Sequence, residues 1–447
     1  MLINIQKQIC YVINTGRRKC LARDWQPFLR KSREEAECNQ LNRLKKLLIH
    51  AGKYVPYYRD CFKKIGFDPY DIKNISELEK LPVLTKDIVR REGKRMLAEN
   101  FSTTELMPKY TGGSTGEPLS FYRHKEYLKA SQMGSYRNMS ICGWKPGEPI
   151  ANFWGIPEAD SSPWHAFKEE VNLGIYTFNS FNANPKFFTD WLDRLEKIKP
   201  VVVYGYAAFI YLFCRWLDDK SASLKAFNNL KGVLTTADVL HPFQRELIQK
   251  VLNVPVFNLY GSTEIQNTAF ECLQGGMHIS SDFVVLESEN TSSGKDTLLL
   301  TSLHNYAMPF IRYRNGDEGR ILGYSCDCGI PAPCMDLEIS RSNDNVITAS
   351  GRIIHNQFFI AAIFSVKGIS LFQYRQLSPG SMKLLVVADE YCNEDTKKQV
   401  SEIPSVIARR CDDEIKVEVE WVDSIPTTNR GKHLFIVSDI GKASLGQ

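Results

Sequence analysis

Between Tyr110 and Pro118 the run YTGGSTGEP sets Gly112, Gly113 and Gly116 among Thr111, Ser114 and Thr115. Glycines there let successive backbone N–H groups converge, and the hydroxyls add donors, so the run can form an anion-binding nest. It is not a Walker loop: no Gly-Lys pair closes it, and Glu117 stands where a cation would meet phosphate. By itself the run serves a surface turn as readily as a phosphate. A second set of residues offers soft donors: Cys272 and His278 in ECLQGGMHIS, Cys326 and Cys328 in CDCG, with Cys334 nearby. Two such pairs on separate loops suit a closed tetrahedral zinc site, although the spacing is that of no common zinc finger. Free thiols in a reducing compartment are the alternative. His124, His165, His241 and His304 have no evident partner in sequence, and no H-E-x-x-H motif supports a metalloprotease.

Elements must hold these groups in place, and 447 residues of ordinary apolar content provide for two or three globular units. The net charge of +5 is small, and bases alternate with acids, as in RKSREEAE from Arg30 to Glu37. Anionic small molecules fit that balance; nucleic acid is not expected. The opening MLINIQKQICYVINTGRRKC lacks the unbroken apolar centre of a signal peptide. VVVYGYAAFIYLFCRWL, from Val201 to Leu217, is interrupted by Gly205 and Arg215, so it reads as a buried strand turning into a buried helix and no transmembrane segment is expected. Twelve irregularly spaced cysteines without such a signal point to the cytoplasm.

SREEAECNQLNRLKKLLIHAG predicts a helix with Leu41, Leu44, Leu47 and Leu48 on one face, ended by Gly52. From about Leu106 to Leu303 the short apolar runs PIANFWG, KPVVVYG, KGVLTTA and VPVFNLYG alternate with helix-like segments, the pattern of an α/β sheet. Ligands bind at the ends of such strands, which singles out NLYGSTE, Asn258 to Glu264. ESENTSSGKDT, Glu287 to Thr297, reads as a solvated hairpin tip. Beyond Asp344, QFFIAAIFSV is helical in pattern, ISLFQYRQL and MKLLVVADE are strands around a Pro379-Gly380 turn, and EIKVEVEWVD alternates like a half-buried strand. The expectation is an α/β N-terminal region, residues 1–341, followed by a small α+β domain, residues 342–447.

Four more segments follow the glycine run in order: NLYGSTE, MPFIRYRNGDEG (Met308 to Gly319), SRSND with GRII (Ser340 to Ile354), and IPTTNRGKH (Ile425 to His433). Together the five resemble the adenylate-forming enzyme superfamily. VPYYRD, LPVLTKDIV, TGGSTGEPLSFYR and GWKPGE resemble in particular the phenylacetate-CoA ligase family, in its capsule-biosynthesis branch. The resemblance implies ATP- and Mg2+-dependent activation of a carboxylic acid to an acyl-adenylate, then acyl transfer to coenzyme A, with a mobile C-terminal domain. It implies that Thr111, Gly112, Gly113, Ser114, Thr115 and Gly116 hold phosphate, with Mg2+, the backbone nest or Arg123 compensating for Glu117. Ala237 and Asp238, within TTAD, would form one side of the adenine pocket; Tyr260, Gly261 and Ser262 would form the other, with Tyr260 stacked on the base. Relatives often carry Glu where Asp238 stands. Thr263 would donate to phosphate or to the acid, Glu264 would hold Mg2+, and Asp317 would accept from both ribose hydroxyls. Arg341 would be a further ribose or phosphate contact, after Ser340 where the common pattern has Gly, and Asp344 would be the hinge. Lys432 would enter the site during adenylation and neutralise the charge developing between carboxylate and α-phosphate.

The acyl pocket is expected around Tyr204, Gly205 and Tyr206, where aromatic residues suit an aryl or other apolar acid. The resemblance also extends to zinc held by cysteines and histidine in this neighbourhood, and it admits a homodimer. Two rival readings remain: an adenylating enzyme that serves a carrier protein, amine or sugar, and a nucleotide-binding module without catalysis. Glu117, Asp238 and Ser340 suggest the latter, whereas Glu264, Asp317 and Lys432 argue against it.

Overall fold

The glycine-rich run is flanked by two strands that pair as an antiparallel hairpin: β1 (Met107–Tyr110) and β2 (Ser120–Arg123), with Tyr110 opposite Ser120. The computed structural model describes residues 26–29, 31–110, 119–155, 169–170, 173–179, 185–237, 240, 242–290, 296–337, 346–354, 356–363, 366, 368–388, 392–425 and 436–438.

The apolar runs of the first half become parallel strands: β3 (Ile150–Trp154), β4 (Ile175–Asn179), β5 (Val202–Tyr206), β6 (Gly232–Thr236) and β7 (Val256–Tyr260). Both faces are covered, which explains why they lack hydrophobic alternation. Helices Pro185–Ile198, Ala207–Asp219 and Pro242–Leu252 share a core with Phe153, Phe178, Val203 and Val233. On the other face, Tyr136 and Met139 of helix Lys125–Ile141 join Val202, Leu234 and Phe257. Antiparallel strands β8 (Ala269–Glu271) and β9 (Met277–Ile279) extend this sheet. A second sheet comprises β10 (Val284–Asn290), β11 (Asp296–Ser302) and β12 (Tyr313–Glu318), after which β13 (Arg320–Gly323) and β14 (Cys334–Asp336) return to complete the first. Its full order is β13-β14-β9-β8-β7-β6-β5-β3-β4.

Near the N-terminus, helix Arg33–Tyr54 begins in a capping box between Ser32 and Glu35 and buries Leu44, Leu47 and Leu48 against the second sheet. Leu41 is only partly buried. The helix does not end at Gly52. It continues to Tyr54 and stops where Pro56 forces Val55 into an extended conformation. Gly52 instead admits a neighbour, since a Cβ there would lie 3.0 Å from the Phe62 ring.

After residue 345 come β15 (Val346–Ile347), β16 (Ile353–Ile354), helix Asn356–Ile363, β17 (Ile369–Ser378), β18 (Ser381–Ala388), helix Glu394–Arg410, β19 (Lys416–Trp421) and β20 (Ile436–Ser438). The sheet order β19-β18-β17-β20 encloses a core of its own that includes Phe359, Tyr374, Leu384 and Ile407. Pro379 and Gly380 form the expected turn. Among the described residues no helix is long and apolar enough to cross a membrane.

Candidate active site

Parallel strands place all their carboxyl ends on one edge of a sheet, and the residues that open ligand loops gather there. Strands β3, β5, β6 and β7 end at Trp154, Tyr206, Thr236 and Tyr260. Ala237 follows with a left-handed φ of 68°. The segment Gly261–Glu264 leaves β7 where the sheet changes from parallel to antiparallel pairing, since β6 runs parallel to β7 and β8 antiparallel to it. Within the turn, the Ser262 N–H donates to the Ile265 carbonyl at 2.9 Å and Ser262 Oγ accepts from the Ile265 N–H at 3.1 Å.

Two tyrosines connect this edge to the second sheet. The buried Tyr260 donates its hydroxyl to Asp317 Oδ2 at 2.9 Å, and Asn315 Nδ2 donates to the Tyr260 oxygen at 3.0 Å and to Asp317 Oδ2 at 2.5 Å. Tyr313 donates to Glu264 Oε1 at 2.7 Å. The structure thus ties the carboxyl edge to the second sheet at two points, Tyr260 to Asp317 and Glu264 to Tyr313. Arg123, at the end of β2, donates from Nη2 to the Thr263 carbonyl. Burial lowers the guanidinium pKa, while Tyr127 and Glu264 oppose the shift. The hairpin that flanks the glycine run is therefore fastened directly to the turn carrying Thr263 and Glu264.

The expected acyl-pocket residues are also on this edge. Tyr204 and Tyr206 project from the same face of β5, and Trp154 of β3 stacks on both, with ring centroids 5.9 and 4.5 Å away. Apolar surroundings push the Tyr204 phenol up to about 12. Gly205 is required between them: at φ 152° a Cβ would meet the Phe153 carbonyl oxygen at 2.2 Å. Trp154 was missed in sequence, although an aromatic residue closing the run PIANFWG was a usable signal.

The soft donors also converge. One ligand atom each from Cys272, His278, Cys326 and Cys328 lies within 4.8 Å of all the others. The Cys272 and Cys326 sulfurs are 3.7 Å apart, and bonds of 2.3 Å around a tetrahedral zinc would place them about 3.8 Å apart. Cys328 Sγ lies 3.1 Å from His278 Nε2, while Nδ1 lies 3.0 Å from the Ala332 carbonyl. A donated Nδ1 proton would leave Nε2 as the ligating nitrogen. Burial, assisted by the Cys326 and Cys272 sulfurs, pushes the Cys328 thiol up to about 12. This donor set fits zinc. Cys334 lies behind it, with its sulfur 3.7 Å from Nδ1 and 3.9 Å from Nε2.

Thr111, Gly112, Gly113, Ser114, Thr115, Gly116, Asp238, Arg341, Asp344 and Lys432 lie outside the described residues. Of the comparisons with known proteins, the family model of the CapK C-terminal domain matches residues 346–439. Protein CapK of Staphylococcus aureus is 24% identical over 429 residues, 90% of each chain. A phenylacetate-coenzyme A ligase of Thermus thermophilus is 22% identical over 70% of this chain and 72% of its own. Among solved structures, 2-hydroxyisobutyryl-CoA ligase in complex with 2-HIB-AMP and CoA superposes with a TM-score of 0.62 at 18% identity, covering 92% of this chain and 91% of that one. The chain is homologous to CapK and to the phenylacetate-coenzyme A ligases, and it has the fold of the adenylate-forming CoA ligases.

Proposed function

We propose that the protein joins a carboxylic acid to ATP, forming an acyl-adenylate and pyrophosphate, and then passes the acyl group to the thiol of coenzyme A with release of AMP. The observation that carries this reading is the pair of ties at the carboxyl edge, Tyr260 to Asp317 and Glu264 to Tyr313. Asp317 receives the ribose hydroxyls, with Arg341 as a further contact, and Tyr260 and Ala237–Asp238 flank the adenine. Segment Thr111–Gly116 receives the phosphates. Glu264 holds Mg2+, a role suited to a hard oxygen donor, and the ion when bound supplies charge neutralisation for the triphosphate. Gly261 and Ser262 shape the turn, and Thr263 orients the acid against the α-phosphate. Lys432 answers the charge that develops there. The wall formed by Trp154, Tyr204, Gly205 and Tyr206 receives the acyl group.

In this reading the chain divides near residues 341 and 342, with the hinge at Asp344. Cys272, His278, Cys326 and Cys328 hold a structural zinc, and the unpaired thiols fit a cytoplasmic location.

ATP–pyrophosphate exchange across aryl, amino and uronic acids tests the proposal. At least one acid is expected to support exchange and, once coenzyme A is added, to yield a thioester; exchange with none would overturn it. The variant reading is transfer of the acyl group to a carrier protein, amine or sugar instead of coenzyme A. Offering those acceptors to the adenylate formed by the responding acid separates the two.

A further inference from the structure

The turn that carries Thr263 and Glu264 is held by polar side chains from one continuous stretch, β2 and the helix after it. Arg123 donates to the Thr263 carbonyl. One helical turn on, Tyr127 donates to the Glu264 carbonyl at 3.5 Å and accepts from the Gln266 N–H at 3.3 Å. Ser131 donates to Gln266 Oε1 at 2.6 Å, and its carbonyl accepts from Asn267 Nδ2 at 2.8 Å. Ser135 and Asn138 both donate to Asn267 Oδ1 at 3.3 Å. The spacing of 127, 131, 135 and 138 lies along one face of the helix. Gly134 on that face lets it come close, because a Cβ there would meet the Asn267 side chain at 3.0 Å.

Arg123 is the member of this ladder nearest the chemistry and the costliest to bury. Its side chain is 4% exposed and packs over the rings of Phe121 and Tyr127. Among the described residues its Nε has no hydrogen-bond partner. A buried guanidinium persists where a nearby charge and a fixed acceptor offset desolvation; here these are the Glu264 carboxylate and the Thr263 carbonyl.

We propose that Arg123 is a positioning residue for the magnesium carboxylate: it fixes the Thr263–Glu264 backbone to strand β2 and so holds the Glu264 carboxylate in place. This rests on the nucleotide-binding reading of the site. It assigns Arg123 an action through Glu264, not a direct contact with phosphate, and so leaves the charge at Glu117 to be met by Mg2+ and the backbone.

A double-mutant cycle read by calorimetry tests this. Titrations of ATP, with Mg2+ and with EDTA, would compare wild type, Arg123→Met, Arg123→Lys, Glu264→Gln and the double variant Arg123→Met with Glu264→Gln. Each of Arg123→Met and Glu264→Gln should weaken Mg2+-dependent ATP binding by about tenfold, and the double variant by little more, since coupled residues are not additive. Arg123→Lys should recover most of the loss, and ATP affinity in EDTA should stay within about twofold throughout. Additive losses of about a hundredfold would overturn the proposal, as would an equal loss in EDTA, the mark of direct phosphate contact. A wild type that shows the coupling but exchanges no pyrophosphate sinks the adenylation reading alone. One that binds no Mg2+–ATP sinks both.

Discussion

Strand β8 is three residues long and joins two sites of opposite chemistry. The Gly261–Glu264 turn precedes it with hard oxygen donors, and Cys272 follows it as the first of four soft ones. The oxygen side is braced from outside: Arg123, Tyr127 and Tyr313 hold its carbonyls and its carboxylate. On the thiol side the four donors lie against one another, a number that would be enough to saturate a zinc ion. A site whose bracing comes from elsewhere can let a ligand enter and leave, whereas one that consumes its own donors can only hold a chain together. The two should therefore fail differently when altered.

The largest effect belongs to the oxygen side. Glu264→Gln keeps the shape and removes the charge, and ATP–pyrophosphate exchange should fall by about a hundredfold to a thousandfold, the scale on which electrostatic groups act in such sites. The melting temperature should fall as well, because the charge that offsets burial of the Arg123 guanidinium is removed with it. A loss of exchange under about tenfold would place Glu264 with the structural residues.

The thiol side should lose stability alone. Elemental analysis should find about one zinc per chain in protein purified without chelators, and Cys326→Ser with Cys328→Ser should abolish it. That loss removes the tie between the β8–β9 turn and the segment preceding β14, and the melting temperature should fall by at least a few degrees, as for a loss of about 3 kcal/mol. Exchange measured well below the melting temperature should stay within about tenfold of wild type. Wild-type protein without zinc would break the comparison at its second term.

The two sites were not equally legible in the sequence. The thiol cluster was visible in sequence as soft donors, with free thiols as the alternative, and its four named members do converge. The turn was visible as the end of a glycine-terminated apolar run. Its bracing was not: Ser131, Ser135 and Asn138 look like the solvated face of a helix, and their partners lie about 130 residues away, as in the 135 between Ser131 and Gln266. Pairings of that reach depend on the sheet order, which brings helix Lys125–Ile141 over β7, and no local period records it. Gly52 misled for the opposite reason. Its helix-ending preference is local, but the close approach of Phe62 that it permits is tertiary.

The smallest effect is acid sensitivity on the oxygen side. His124 directly follows Arg123, is buried, and packs against Phe101 and Tyr306 at 4.9 and 6.4 Å. Desolvation lowers its pKa below the ordinary 6.5, with the Asn305 side chain partly opposing; desolvation also lowers His50 and His304, whose hydrogen bonds to the Tyr306 and Asp282 carbonyls oppose it. Each group binds its proton more readily when unfolded. Between the lowered folded value and 6.5 the unfolded state therefore holds more protons, and stability rises with pH. As pH falls through 6.5 this stability is lost, with a slope of at most about 1.4 kcal/mol per pH unit for each histidine. Melting temperatures measured from pH 7.5 to 5.5 should decline, and His124→Asn should flatten the decline without abolishing it. An unchanged slope in that variant would show that His124 already titrates as it does in the unfolded chain, and would leave the acid response to the other buried histidines.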